Sequence, residues 1–245
     1  MTEQYFQIDG ENRAGRWLVT CDHASNRVPD WVGGGDLGLP AADMGRHIAY
    51  DIGAAGVSKH LANLLDSPAI LSDFSRLVID PNRGEDDPTL LMKLYDGTII
   101  PANRHAGDAE REERLDRLHR PYHAAYGRLV ARQENTVVCA VHSFTPQLRG
   151  RPHRPWEIGV LSAGDRRLAD PFLAACRNQG WYVGDNEPYA GHLPGDSVDQ
   201  HALRAGRPNV LIEVRNDLIE TPDAQLDWAQ KLAPILKSVL ENSAL

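Results

Sequence analysis

The sequence predicts a three-layer α/β domain. Short apolar runs of strand character alternate with segments of helical spacing along the whole chain. Several of the runs, TVVCAVHS (136–143) and WEIGVLS (156–162) among them, are apolar without interruption, as strands covered on both faces are. At 245 residues, with 42% hydrophobic and 24% charged residues, the chain can bury a large core without staples.

Each element follows in order. RWLVTC (16–21) reads as a short buried strand that runs into DHASNRVPD, where Ser25, Asn26, Pro29 and Asp30 signal a loop. GGGDLGLP (33–40) is loop. From Ala42 to Leu65, Ile48, Ile52, Ala55, Leu61, Leu64 and Leu65 recur at helical spacing. PAILS (68–72) and RLVID (76–80) are strand-like and end in the turn-rich PNRGEDDP. Residues 109–134 form a helix that Pro121 should kink or break. After the two apolar strands come a helix over 165–179, a strand WYVGD (181–185) and a short helix in DSVDQHALRAG closed by Gly206. PNVLIEVR (208–215) is a strand, and 222–242 is a long C-terminal helix. One domain spans 1–245, with no internal repeat.

Composition narrows the function. With 26 basic and 34 acidic residues the formal charge is -8, which argues against a general nucleic-acid binder and against an anionic membrane surface. A small anionic substrate stays open, because a few local arginines outvote the average. Cys21, Cys139 and Cys176 are too few and too scattered for a disulfide framework. The N-terminal residues lack a signal-peptide core, and no stretch approaches ~20 apolar residues, so a soluble cytoplasmic domain is expected.

In open α/β folds, sites form beyond the carboxyl ends of strands. Four strand candidates end there in residues able to do chemistry: Asp22-His23-Ala24-Ser25-Asn26, Asp80-Pro81-Asn82-Arg83, His142-Ser143, and Glu213-Val214-Arg215-Asn216-Asp217. Two histidines from separate strand ends suit zinc, a nearby carboxylate suits proton transfer from water, and arginine beside asparagine offers a fork for a carboxylate. These parts match metal-assisted hydrolysis of an acylated amino acid or peptide.

The strings CDHASNRVP, SRLVIDPNR, LHRPYH, VHS, NEPYAGH and IEVRNDLI together resemble the N-formylglutamate amidohydrolase family, in that family's order, from about residue 17 to 220. The family is related to zinc carboxypeptidases and aspartoacylase-type deacylases. The resemblance implies a three-layer sandwich with a mixed central sheet, zinc-carboxypeptidase-like, and hydrolysis of an N-formyl or other N-acyl amide next to a carboxylate. It implies zinc on His23 and His142. Asn26 stands where the His-x-x-Glu pattern has its glutamate ligand, so either Asn26 completes the site through its weaker amide oxygen, or Asp22 or another carboxylate does. Glu213 matches the general base. Asn82 and Arg83 resemble the pair that grips the substrate carboxylate. Arg215 and His201 fall in segments similar to the family's and are expected at the substrate. The partner is then a small carboxylate-bearing N-acyl amino acid.

Plainer roles exist for the same residues. His23 could hydrogen-bond its own turn, and His142 could be a satisfied core histidine. Glu213 could pair with Arg215, two residues along the same strand face, and Arg83 could bridge to Glu85 or Asp86. His47 and His60 read as structural or exposed, and His105, His153 and His192 lie in loops. His119 and His123, spaced i and i+4, read as part of a solvated helix face with Tyr122 as its anchor. A different acyl specificity within the superfamily, or a non-catalytic binder of acyl-amino acids that has lost its metal through Asn26, are the alternative functions.

Overall fold

Seven strands make one mixed sheet, and the uninterrupted apolar run of residues 136–143 is at its centre. In a computed structural model, which describes residues 3–191 and 193–245, the strands are β1 (Phe6–Asp9), β2 (Trp17–Cys21), β3 (Ala69–Ser72), a small separate hairpin of β4 (Leu94–Tyr95) and β5 (Thr98–Ile99), β6 (Val137–Phe144), β7 (Ile158–Leu161), β8 (Val183–Asp185) and β9 (Asn209–Arg215). The sheet order is β1-β3-β2-β6-β9-β7-β8. The run β3-β2-β6-β9 is parallel, β1 and β7 join it antiparallel, and β8 is parallel to β7. The expected mixed central sheet is therefore observed.

The pleat assigns each strand residue to a layer, because successive side chains point to opposite faces. Val19 and Cys21 of β2, Cys139 and Val141 of β6, and Ile212 and Val214 of β9 face one side. There they pack against Val57 and Leu61 of α2 (Ala54–Leu64), Phe172 and Leu173 of α6 (Ala169–Asn178) and Leu232 and Leu236 of α8 (Pro222–Glu241). Leu18, Val138, Ala140 and Leu211 face the other side, against Tyr122, Tyr126 and Leu129 of α5 (Arg120–Val130) and Val198 of α7 (Ser197–His201). A third apolar cluster, with Ile48, Phe74, Leu77, Val78, Ile79, Leu115 and Leu118, supports the loops around the hairpin. Between them run the short helices α1 (Ala41–Met44), α3 (Pro101–Arg104) and α4 (Asp108–Arg114).

Four differences from the sequence expectations matter. The helix expected over Ala42–Leu65 is interrupted: α1 ends at Met44, and α2 starts only after Gly53, whose φ of +80° no side-chain-bearing residue adopts cheaply. The run RLVID is a buried turn, with its apolar side chains spent on the third cluster and Asp80 tied to Arg76 four residues back. Pro121 does not break its helix, because a π turn over Leu115–His119 precedes it and places the proline in the first turn of α5, where a missing N–H costs least. The edge strand β1 and the β4-β5 hairpin are additions. No helix among the described residues is long and apolar enough to cross a membrane.

Gly53 should be irreplaceable for a double reason. A Cβ there would meet the Ile219 carbonyl oxygen at 2.2 Å, on top of the left-handed backbone. Gly53→Ala is expected to destabilise the protein by about 2 kcal/mol or more in urea unfolding. A variant as stable as wild type would show that the segment carrying Asp51 into α2 can take another path.

Candidate metal centre and cavity

Three adjacent parallel strands, β2, β6 and β9, end on the α5 side of the sheet with Asp22, His142 and Glu213. The pleat puts them there. Thr20 and Asp22 share one face of their strand and bond Tyr126 and Tyr122, while Ala140-His142 and Leu211-Glu213 continue the same alternation, with His142 opposite Glu213 in register. His23 follows at the start of the next loop. Asp51 comes from the segment between α1 and α2, whose backbone N–H donates to the His23 carbonyl (2.9 Å).

One ligand atom each from His23, Asp51 and His142 lies within 4.8 Å of the others, and all three side chains are buried. Asp51 Oδ2 is 2.8 Å from His142 Nδ1, 3.4 Å from His23 Nδ1, and accepts from the Ser143 N–H at 3.3 Å. The opposite ring nitrogens have carboxylates of their own. His23 Nε2 is 2.7 Å from Asp80 Oδ1, and His142 Nε2 is 3.6 Å from Asp22 Oδ2. Asp80 is held in turn by Arg76 (2.7 Å) and the Asn82 N–H (2.9 Å), and Asp22 by the Tyr122 hydroxyl (2.6 Å). Two imidazoles and one carboxylate, with the His23 ring held from behind by Asp80, are a donor set that suits zinc.

Charge points the same way. Asp22, Asp51 and Asp80 are buried with one buried guanidinium, Arg76, which leaves a formal -2. Burial alone would raise all three carboxyls, yet each is held below its ordinary value, Asp51 and Asp22 by His23 and His142, Asp80 by Arg76 and His23. The deficit falls on His142, where burial opposes a charge but Asp22, Asp51 and Glu213 outweigh it and raise the imidazole well above its usual range. A divalent cation at the same place would neutralise the cluster.

The cluster forms the floor of a cavity of about 250 Å³. Glu213 lines it, and Oε2 of Glu213 has no hydrogen-bond partner among the described residues. Burial pushes this carboxyl up to about 7, with His142 opposing the shift. Asn82 and Arg83 line the cavity as well, braced by their surroundings: the Asn82 side-chain oxygen accepts from the Ser197 N–H, and Arg83 donates to Thr89 and to the Asn82 carbonyl.

Several expectations need correction. Asn26 is exposed and donates its amide to the Met44 carbonyl, so Asp51 and not Asn26 is the third residue of the cluster. Arg215 is turned away, to Asp217 and the carbonyls of Pro155 and Trp156, and so neither lines the cavity nor pairs with Glu213. His201 also lies outside the cavity lining, stacked on Tyr126 and 2.9 Å from His123. His119 and His123 are buried rather than solvated. Of the other histidines, His47 is at the cavity and His192 lies outside the described residues. Asp51, Arg76, Tyr95 and Tyr189 escaped the sequence reading altogether. A polar residue two places before a helix-breaking glycine was the signal available for Asp51, masked by the helical spacing around it.

A family model described as N-formylglutamate amidohydrolase matches residues 15–220. A gene product of Agrobacterium tumefaciens has a similar crystal structure, with 33% identity and a TM-score of 0.91 over 98% of this chain and 96% of that one. An N-formylglutamate amidohydrolase from Ralstonia eutropha is similar at 20% identity and a TM-score of 0.74, over 97% of this chain and 98% of that one. A bacteriophage poly-gamma-glutamate hydrolase shares the fold more distantly, at 10% identity and a TM-score of 0.51, over 97% of this chain and 90% of that one. A search of curated proteins gave no match.

The raised Glu213 carboxyl has a consequence for stability. An acid whose folded pKa lies above its unfolded one (4.5 to about 7) contributes stability that is complete below pH 4.5 and lost as pH rises through 7. At about 1.4 kcal/mol per pH unit this amounts to a few kcal/mol. Metal-free Glu213→Gln should therefore be more stable than wild type at pH 8 and nearly equal to it at pH 4.5. Chemical denaturation at the two pH values checks this, and equal stability at pH 8 would contradict an unpartnered buried carboxylate.

Proposed function

Because this chain belongs to the N-formylglutamate amidohydrolase family, we propose that it is a zinc-dependent amidohydrolase that cleaves an N-formyl or other short N-acyl group from a small carboxylate-bearing amino acid. The observation that carries the reading is Glu213: a buried carboxylate with an unpartnered oxygen in the wall of the cavity that holds the His23–Asp51–His142 cluster. A binding protein has no use for that arrangement, which lowers stability at neutral pH. A general base has, since a carboxyl poised near neutrality can both take and return a proton.

In this reading His23, Asp51 and His142 would hold the zinc, while Asp80 fixes the His23 ring. When bound, the metal supplies a Lewis acid for the scissile carbonyl and acidifies water. Glu213 takes a proton from the attacking water and hands it to the leaving nitrogen, so that the amine departs neutral. Asn82 and Arg83 bind the carboxylate of the amino acid. Arg76 is occupied with Asp80 and Asp51 at 2.7 and 3.7 Å, which leaves the carboxylate to Arg83.

The direct test is hydrolysis of N-formyl amino acids by protein loaded with zinc, monitored as release of the free amine. Asp51→Ala is expected to lose stoichiometric zinc and activity together, while Asn26→Ala keeps both. Zinc retained in the Asp51 variant would remove Asp51 from the ligand set. Glu213→Gln is expected to keep zinc and substrate affinity but to lose at least ~10²-fold in kcat, as removal of a general base does. Turnover near wild type in that variant would sink the catalytic role.

A further inference from the structure

Behind the loop that carries Asn82 and Arg83 lies a second group of histidines, which the reaction itself does not use. His119 ends the π turn and His123 lies one turn on, in α5, so both point to the same side. His119 Nε2 is 2.9 Å from the Arg83 carbonyl oxygen, and His123 Nε2 is 2.9 Å from that of Pro81. A carbonyl only accepts, so each Nε2 carries the proton. That makes His123 Nδ1 an acceptor, and it meets His201 Nε2 at 2.9 Å, with the His201 ring stacked on Tyr126. Burial keeps these rings uncharged: His123 is pushed down to about 3, His201 to about 4, and His119 below its usual value.

We propose that His119 and His123 are positioning residues for substrate recognition, clamping two peptide units of the Asp80–Arg83 loop so that Asn82 and Arg83 project into the cavity. The inference rests on the reading that those two side chains bind the substrate carboxylate. The Pro81–Asn82 peptide is pinned at both ends, its carbonyl by His123 and the Ser197 hydroxyl (3.2 Å), its N–H by Asp80. The Arg83 carbonyl is held by His119, and the residue that follows is Gly84, which would let that peptide rotate freely once released. Arg83 is braced within its own loop, through Asn82 and Thr89, so its direction follows the backbone. The π turn has a purpose on this view: it sets the register at which two imidazoles four residues apart reach two carbonyls two residues apart.

The test compares kcat and KM of the zinc-loaded enzyme for N-formylglutamate and for its dimethyl ester, in which both carboxylates are blocked. His119→Asn and His123→Asn shorten the donor. Each is expected to reduce kcat/KM for the free acid about tenfold, mainly through KM, with little change for the ester. His119→Gln and His123→Gln, whose amide nitrogen reaches the Nε2 position, should recover most of the loss. A packing role would harm both substrates alike and gain nothing from Gln over Asn, and either result overturns the clamp. Should the Asn variants fail to fold, Ser197→Ala removes the other donor on the Pro81 carbonyl, and the same selective loss, smaller in size, is expected; an unselective loss overturns the proposal. Arg83→Ala in the same assay separates the two levels. If it weakens only the free acid while the histidine variants are unselective, the clamp alone is wrong. If it weakens acid and ester equally, or if wild type does not turn over N-formylglutamate, the carboxylate reading is wrong and the clamp falls with it.

Discussion

The structure is organised around one buried charge imbalance. Asp22, Asp51 and Asp80 sit in the interior with Arg76 as the only buried guanidinium among them, and His23 and His142 lie between. Isolated carboxylates at such depth would cost several kcal/mol each, so the fold must supply compensating donors. It does so with the Tyr122 hydroxyl, the N–H groups of Asn82 and Ser143, and both rings of the histidine pair. What remains is a formal deficit that a divalent cation would offset.

Strand register turns that requirement into a site. His142 and Glu213 are neighbours across β6 and β9, and Asp22 is one strand further, on the same face. A slip of one residue in either pairing would turn an entire row of side chains to the opposite layer and remove Glu213 from the cavity. The apolar residues of these strands are buried on both sides, which fixes the register strongly. The core thus specifies the chemistry's geometry without touching a substrate. Glu213 shows the opposing interest. Its unpartnered oxygen is a cost to the folded state at neutral pH, which the proposed role in proton transfer would account for, and a protein selected for stability alone would have paired it.

Much was legible from the sequence alone. The alternation of apolar strands and helical segments gave the three-layer architecture, because burial on two faces leaves a continuous apolar run that a surface strand does not show. Of the polar residues expected at strand ends, His23, His142 and Glu213 follow or end strands and line the cavity, and Asn82 and Arg83 line it from a buried turn that has the apolar run of a strand without its pairing. Those signals are local: periodicity, a strand end, a short string. Asp51 was not legible, since its neighbours have helical spacing and its role depends on the path of residues 24–50, which returns the chain to His23, 28 residues back. Asn26, in the right place by spacing, was turned to Met44 by the loop. Arg215 and His201 were near in sequence to the site and faced elsewhere, because the strand end bends Arg215 to Asp217 and stacking draws His201 to Tyr126. Sequence determines which residue types stand at the ends of elements; which of them share a point in space is decided by long-range packing, where the balance of buried charge selects one carboxylate over another.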